Sequence, residues 1–146
     1  MNLKGEKVVV CGAGGFIGGH LVKKLLAEGV DVVRAVDVKP LSEWYQVSNG
    51  IENLVADLKD KDRCYQAAEG TKVVFQLAAD MGGMGFIENN KALCMLSVLT
   101  TTHMLVAARD CGVERFFYSS SACVYNGEKQ RDAEVTPLKE DDAYPA

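Results

Sequence analysis

Two stretches of this 146-residue chain hold residues whose types and spacing could do chemistry. One is RFFYSSSACVYNGEK, Arg115 to Lys129, with three consecutive serines, Cys123, and a tyrosine and lysine four apart at Tyr125 and Lys129. A serine hydroxyl can hydrogen-bond a reacting group. A thiol, with an unperturbed pKa of about 8.5, can exchange protons near neutrality once a neighbouring charge lowers it. A tyrosine beside a lysine could serve as a base, the ammonium lowering the phenol pKa. Asn126-Gly127 lies between the two, however, and is turn chemistry, so they are not expected to share a helical face. Cys123 read from the residues alone is also compatible with a small buried hydrophobe.

The other stretch is CGAGGFIGGH, which carries Gly12-x-x-Gly15-x-x-Gly18, with Gly14 as well. Gly12 permits a tight turn, Gly15 lets the backbone approach a pyrophosphate, and Gly18 lets a helix pack close on the preceding strand. The free N–H groups and the dipole at the start of that helix, around Phe16 and Ile17, attract the anion. Asp37 follows at the end of the next strand, where a carboxylate can accept from both ribose hydroxyls of an adenosine. Its charge repels a 2′-phosphate, so NAD is expected over NADP, a preference that Lys39 nearby softens. Asp57, ending a third strand, is placed to reach the adenine.

These residues need elements to hold them, and the chain alternates short β-branched runs with stretches of helical period. Strands are expected at Lys7–Gly12, Asp31–Asp37, Leu54–Asp57, Lys72–Ala79 and Arg115–Ser121. A helix over Phe16–Gly29 places Ile17, Leu21, Leu25 and Leu26 on one face and ends at a glycine. A second runs through DRCYQAAEG to Gly70, and a long third from Ile87 to Cys111, stopped by Gly112. Strand–helix alternation implies right-handed crossovers and a parallel sheet covered on both faces. The fold class is therefore α/β, a Rossmann-type doubly wound parallel sheet of order 3-2-1-4-5, forming one domain over residues 1–146. Each motif falls at a strand's carboxyl end.

Composition agrees: 48% of residues are hydrophobic, enough for a core, and the net charge of −4 with no basic run argues against a nucleic-acid surface. Five scattered cysteines without a Cys-x-x-Cys pair read as reduced thiols in a cytoplasmic protein, with no metal site expected. VVVC is too short for a signal-peptide core. Cys11, Cys64, Cys94 and Cys111 read as packing residues, and His20 and His103 as surface or packing histidines. The run Met81-Gly-Gly-Met84 suggests backbone pressed close to a ligand. After Tyr125 the pattern dissolves into polar, turn-rich sequence.

Together, GAGGFIG, Asp37, ADL (Ala56–Leu58), LAA (Leu77–Ala79) and SSSACVY resemble the extended short-chain dehydrogenase/reductases, the NAD-dependent epimerase and dehydratase family. The resemblance implies NAD held throughout and used as a transient oxidant of a nucleotide-linked sugar. It assigns cofactor contacts to Gly12, Gly14, Gly15, Phe16, Ile17, Gly18, Asp37, Lys39, Asp57, Leu58, Leu77, Ala78 and Ala79. LAADMGGMGFIENN, with SSACVY and LKEDDAYPA, is similar to those members that epimerise GDP-mannose at C3 and C5. By that similarity Gly82, Ser121, Ala122 and Cys123 contact substrate, Ser121 bonds the reacting hydroxyl, and Cys123 transfers protons. The family's tyrosine–lysine pair lies some 25 to 30 residues past that serine, so Tyr125 and Lys129 stand too early. The pair, the sugar-nucleotide-binding region and a homodimer interface are then expected to involve sequence beyond Ala146. A non-catalytic NAD-binding module is the alternative for a chain that ends there.

Overall fold

The computed structural model describes residues 3–30, 32–80, 82, 84–121, 124–125 and 137–143. Five strands, β1 (Lys7–Cys11), β2 (Val32–Asp37), β3 (Glu52–Val55), β4 (Val73–Gln76) and β5 (Arg115–Tyr118), form one sheet. Their order is β3-β2-β1-β4-β5, and every pairing is parallel. The α/β architecture and the strand order expected from the sequence are both present.

The pleat divides β1 between two cores. Val8 and Val10 point to one side, where Val22 and Leu25 of α1 (Phe16–Ala27) meet Val33, Ala35 and Val73. Val9 and Cys11 point to the other, against Cys64, Ala67 and Ala68 of α2 (Lys61–Ala68) and Met104, Ala107 and Ala108 of α4 (Lys91–Asp110). Because successive side chains alternate faces, a run such as VVVC fills both layers at once.

Several element bounds differ from the sequence reading. Every strand but β2, which ends at Asp37 as expected, is shorter at its carboxyl end, and β3 begins two residues earlier, with Arg34 paired to Glu52 and Asp37 to Val55. Asp57 falls in the turn after it, where its carboxylate accepts from the Lys59 N–H at 2.9 Å. The long helix is two: α3 (Met84–Asn89) and α4, separated at Asn90. The Asn89 and Asn90 side-chain amides donate to the carbonyls of Gly85 and Phe86, competition that favours a break. Ile17 is 70% exposed rather than part of α1's apolar face. The face turned to the sheet is set by Gly18, Gly19, Val22 and Leu25, since the glycines allow the closest approach.

Helix α4 is long and apolar enough, by length and composition, to cross a membrane. Its inner side packs Thr100, Met104, Ala107 and Ala108 on the sheet and α2, while Met95, Val98 and Leu105 face outward.

Candidate active site

The carboxyl ends of β1, β2 and β4 converge on the glycine turn. The N–H groups of Gly12 and Ala13 donate to the Val36 carbonyl at 2.8 and 3.0 Å, and Leu77 N–H donates to the Cys11 carbonyl at 3.1 Å. Gly12 has φ +82°, and a Cβ there would stand 2.9 Å from Ala78 N. A Cβ on Gly18 would lie 2.1 Å from the Gly12 carbonyl oxygen, and one on Gly14 would strike both the Asp37 carboxyl carbon and the Trp44 ring. Gly15 differs: a Cβ there would meet only the Gly12 carbonyl oxygen, at 3.3 Å. Three glycines are thus required by the fold itself. Gly15 leaves open the space a ligand's phosphates would take.

Gly15 is also the N-cap of α1 and has no side chain to close the first turn. The N–H groups of the residues that follow have no preceding helical carbonyl to bond, so they remain donors for an anion. Phe16 and Ile17 carry such N–H groups beside Gly15, although neither residue lines the cleft itself. Their side chains are exposed, and Phe16 packs edge-on against His20 and Tyr45 at ring separations of 4.7 and 5.6 Å.

Asp37, buried to 8% exposure, is held at both oxygens: Oδ2 accepts from Gly14 N–H at 2.9 Å and Oδ1 from Lys39 N–H at 3.1 Å. Each oxygen keeps a further lone pair, the capacity a ribose diol requires. Trp44 secures this corner. Its indole N–H donates to the Lys39 carbonyl at 2.9 Å, and Tyr45 N–H bonds the Gly14 carbonyl at 3.1 Å.

Together these walls enclose a cleft of about 210 Å³. Gly12, Gly15, Asp37 and Lys39 form one side, Asp57 and Leu58 a second, and Leu77, Ala78 and Ala79 the third. Five further lining residues, Val38, Ala56, Lys59, Asp80 and Thr100, do not figure in the sequence-derived set. For Asp80 the signal was its place directly after LAA; Lys59 and Thr100 carried none.

A second cavity of about 610 Å³ shares Leu77, Ala78 and Ala79 with the first. Its walls include Tyr118, Ser119, Ser120 and Ser121 on one side and Ser97 and Thr101 of α4 on the other. Ser121 therefore lines a cavity that adjoins the cleft across Leu77–Ala79. Cys94, read as a packing residue, is half-buried and also lines this cavity. Gly82 lies under Phe86, where a Cβ would come 2.7 Å from that residue's Cβ, and walls neither cavity. Ala122, Cys123, Met81 and Lys129 lie outside the described residues.

Cys11 and Cys64 are buried thiols, as expected of packing residues. Burial first, then the neighbouring Cys64, pushes the Cys11 pKa up. Burial, aided by Asp60 and Asp57, pushes Cys64 up to about 12, and its thiol donates to the Leu58 carbonyl. Neither forms a thiolate near neutrality. His20 is exposed, and half-buried His103 bonds the Lys59 carbonyl through Nδ1 at 3.0 Å.

A glycine turn, a fixed carboxylate at the end of β2 and an adjoining cavity at the order reversal define a dinucleotide-binding α/β domain. The chain belongs to the NAD dependent epimerase/dehydratase family, whose model matches residues 8–146, and its cofactor is NAD. It is 41% identical over 96% of its length to GDP-mannose 3,5-epimerase 1 of Oryza sativa subsp. japonica, and spans 37% of that relative. Among solved structures, epimerase Mth375 of Methanothermobacter thermautotrophicus matches with TM-score 0.78 and 27% identity, over 96% of this chain and 41% of that one. The NAD complex of the UDP-glucose 4-epimerase of Thermus thermophilus matches with TM-score 0.69 and 28% identity, over 79% and 37%.

Proposed function

We propose that this chain is the cofactor-binding portion of an NAD-dependent nucleotide-sugar epimerase that inverts C3 and C5 of GDP-mannose. The observation that carries the reading is the shared wall of the two cavities, Leu77–Ala79, across which a ligand in the Ser121-lined cavity would neighbour a dinucleotide in the cleft. The choice of sugar nucleotide leans on the likeness to the rice enzyme. Bound NAD would supply the hydride acceptor for C4 of the hexose. Within this chain Ser121 orients the C4 hydroxyl, whose proton would pass to the tyrosine of the pair expected beyond Ala146, and the protons at C3 and C5, acidified by an adjacent ketone, pass to and from acid/base groups. Cys123 is the thiol assigned to one of those transfers.

The experiment is GDP-mannose incubated in D₂O with the full-length protein. Deuterium is expected at C3 and C5, and Cys123→Ser is expected to slow its entry by about 10²-fold or more. Unchanged exchange in that variant removes the thiol assignment. Conversion of a UDP-sugar, with or without deuterium uptake, and none of GDP-mannose would favour the competing reading, a different nucleotide sugar, which the likeness to UDP-glucose 4-epimerase supports. Binding of NAD without conversion of any sugar nucleotide would leave a cofactor-binding module.

Asp37→Asn gives a second expected result. It keeps one acceptor for Gly14 or Lys39 but gives up a charged acceptor facing the ribose. NAD affinity is expected to fall about tenfold while NADP affinity does not, read by fluorescence titration. An equal loss for both cofactors would mean that the carboxylate only supports the turn.

The same reading takes the protein to be a cytoplasmic homodimer. The outward residues of α4, among them Met95, Val98, Leu99 and Leu105, are the apolar surface that a second copy would cover.

A further inference from the structure

We infer that Lys59 and Asp80 form a latch across the mouth of the dinucleotide cleft, one that tightens over bound cofactor and slows its departure. This rests on the cofactor reading above and concerns residues outside the glycine turn. The Lys59 ammonium stands 3.5 Å from Asp80 Oδ2 and 3.8 Å from Asp57 Oδ2, and all three residues line the cleft. Lys59 comes from the loop after β3 and Asp80 from the loop after β4, so their pairing joins two sides of the opening.

The backbones at both ends are anchored to one helix. The Lys59 carbonyl accepts from His103 Nδ1 at 3.0 Å, and Asp80 N–H donates to Ser97 Oγ at 2.8 Å. Lys59 N–H is tied as well, to Asp57 Oδ1. The linking side chains are not fixed in the same way. They are 33% and 35% exposed, and at 3.5 and 3.8 Å the ammonium is shared between two carboxylates without a short bond to either. Rigid ends with a loose link allow opening and closing without disturbing the sheet.

Bound dinucleotide biases that link in one direction. Asp57 is the carboxylate placed for an adenine N–H donor, and an Oδ2 that accepts from the ligand leaves Asp80 as the partner for Lys59. Ligand also displaces water from around the pair, and an ion pair strengthens as the local dielectric falls. The pair is therefore stronger over a filled cleft than over an open one. That difference must appear as tighter binding and slower release. Lys59 is a positioning residue in this scheme; it touches no reacting atom.

The test preloads the full-length protein with NADH and chases with excess NAD, following energy transfer from Trp44 in a stopped-flow instrument. Lys59→Met and Asp80→Asn are each expected to speed release about three- to tenfold. The double variant is expected to release no faster than either single one, and Lys59→Arg to restore slow release. Raising ionic strength from about 0.05 M to about 0.5 M is expected to speed release from the wild type but not from the double variant. Unchanged release rates in the single variants overturn the latch and leave the cofactor reading standing, as do effects that multiply in the double variant. A wild-type protein that takes up no dinucleotide overturns both.

Discussion

Gly18→Ala is expected to destabilise this domain by about 3 kcal/mol or more, and to abolish dinucleotide binding with it. The added Cβ would sit 2.1 Å from the Gly12 carbonyl oxygen, 2.7 Å from its carbonyl carbon and 2.8 Å from Ala13 Cα. All three are backbone atoms, so no flexible side chain can move aside. Helix α1 must lift from β1 or the turn must open, and either movement displaces the α1 donors facing the cleft. Gly15→Ala separates fold from ligand. Its Cβ would meet one atom, at 3.3 Å, so stability should change by about 0.5 kcal/mol or less while NAD binding weakens by about 10²-fold. Urea unfolding and cofactor titration on the two variants give the comparison. A stable, NAD-binding Gly18→Ala would mean that α1 is not seated against the turn as described.

Arg34→Met is expected to cost about 3–5 kcal/mol without any residue of the cleft being touched. Arg34 lies on β2 at 6% exposure. Its Nη1 shares two N–H groups among the carbonyls of Gln66, Ala67 and Glu69, at 2.9, 2.6 and 3.0 Å, and Nε donates to Glu52 at 2.8 Å. Those carbonyls end α2, so the guanidinium caps a helix from beneath while satisfying itself. Methionine matches the stem but leaves the carbonyls unpartnered. Glu52→Gln should cost far less, about 1 kcal/mol, because Glu52's side chain is 48% exposed and solvent replaces part of its role.

The acid side of the stability profile carries a second signature of the pair. Burial alone would raise the Glu52 pKa, but bonds and charges from Arg34, then Lys7, hold it below its ordinary value. The stabilisation is complete above the unfolded carboxyl pKa, about 4.3, and is lost as pH falls through the lower folded value. In Arg34→Met that loss between neutral and acid pH should shrink. An unfolding free energy with the same acid-side slope in both proteins would show that Lys7 alone sustains the depressed pKa.

Much of the cleft was legible in the sequence because its residues come from local motifs. Asp37 ends a strand, Gly12, Asp57 and Leu77–Ala79 follow one closely, and Gly15 opens the helix after the first, while a parallel sheet brings strand ends to one edge. The glycines announce a close approach through the absence of Cβ alone. Trp44 did not announce itself: it is the chain's single tryptophan, in a polar loop, and its place against Gly14 depends on how the segment after β2 folds back. Asn90 looked like part of a continuous helix, since period and length say nothing about two amides turning onto Gly85 and Phe86.

The sequence by itself determined the dinucleotide turn and the alternation of strands and helices, because both follow from periodicity and backbone sterics acting over a few residues, and the strand order followed from that alternation and the handedness of its crossovers. Only the tertiary structure decided that Arg34 caps α2, that Ile17 faces solvent, and that Lys59 meets Asp80 across the opening. Those outcomes join residues far apart in the chain. Their partners are chosen by how the sheet and helices pack, and no local pattern encodes that distance.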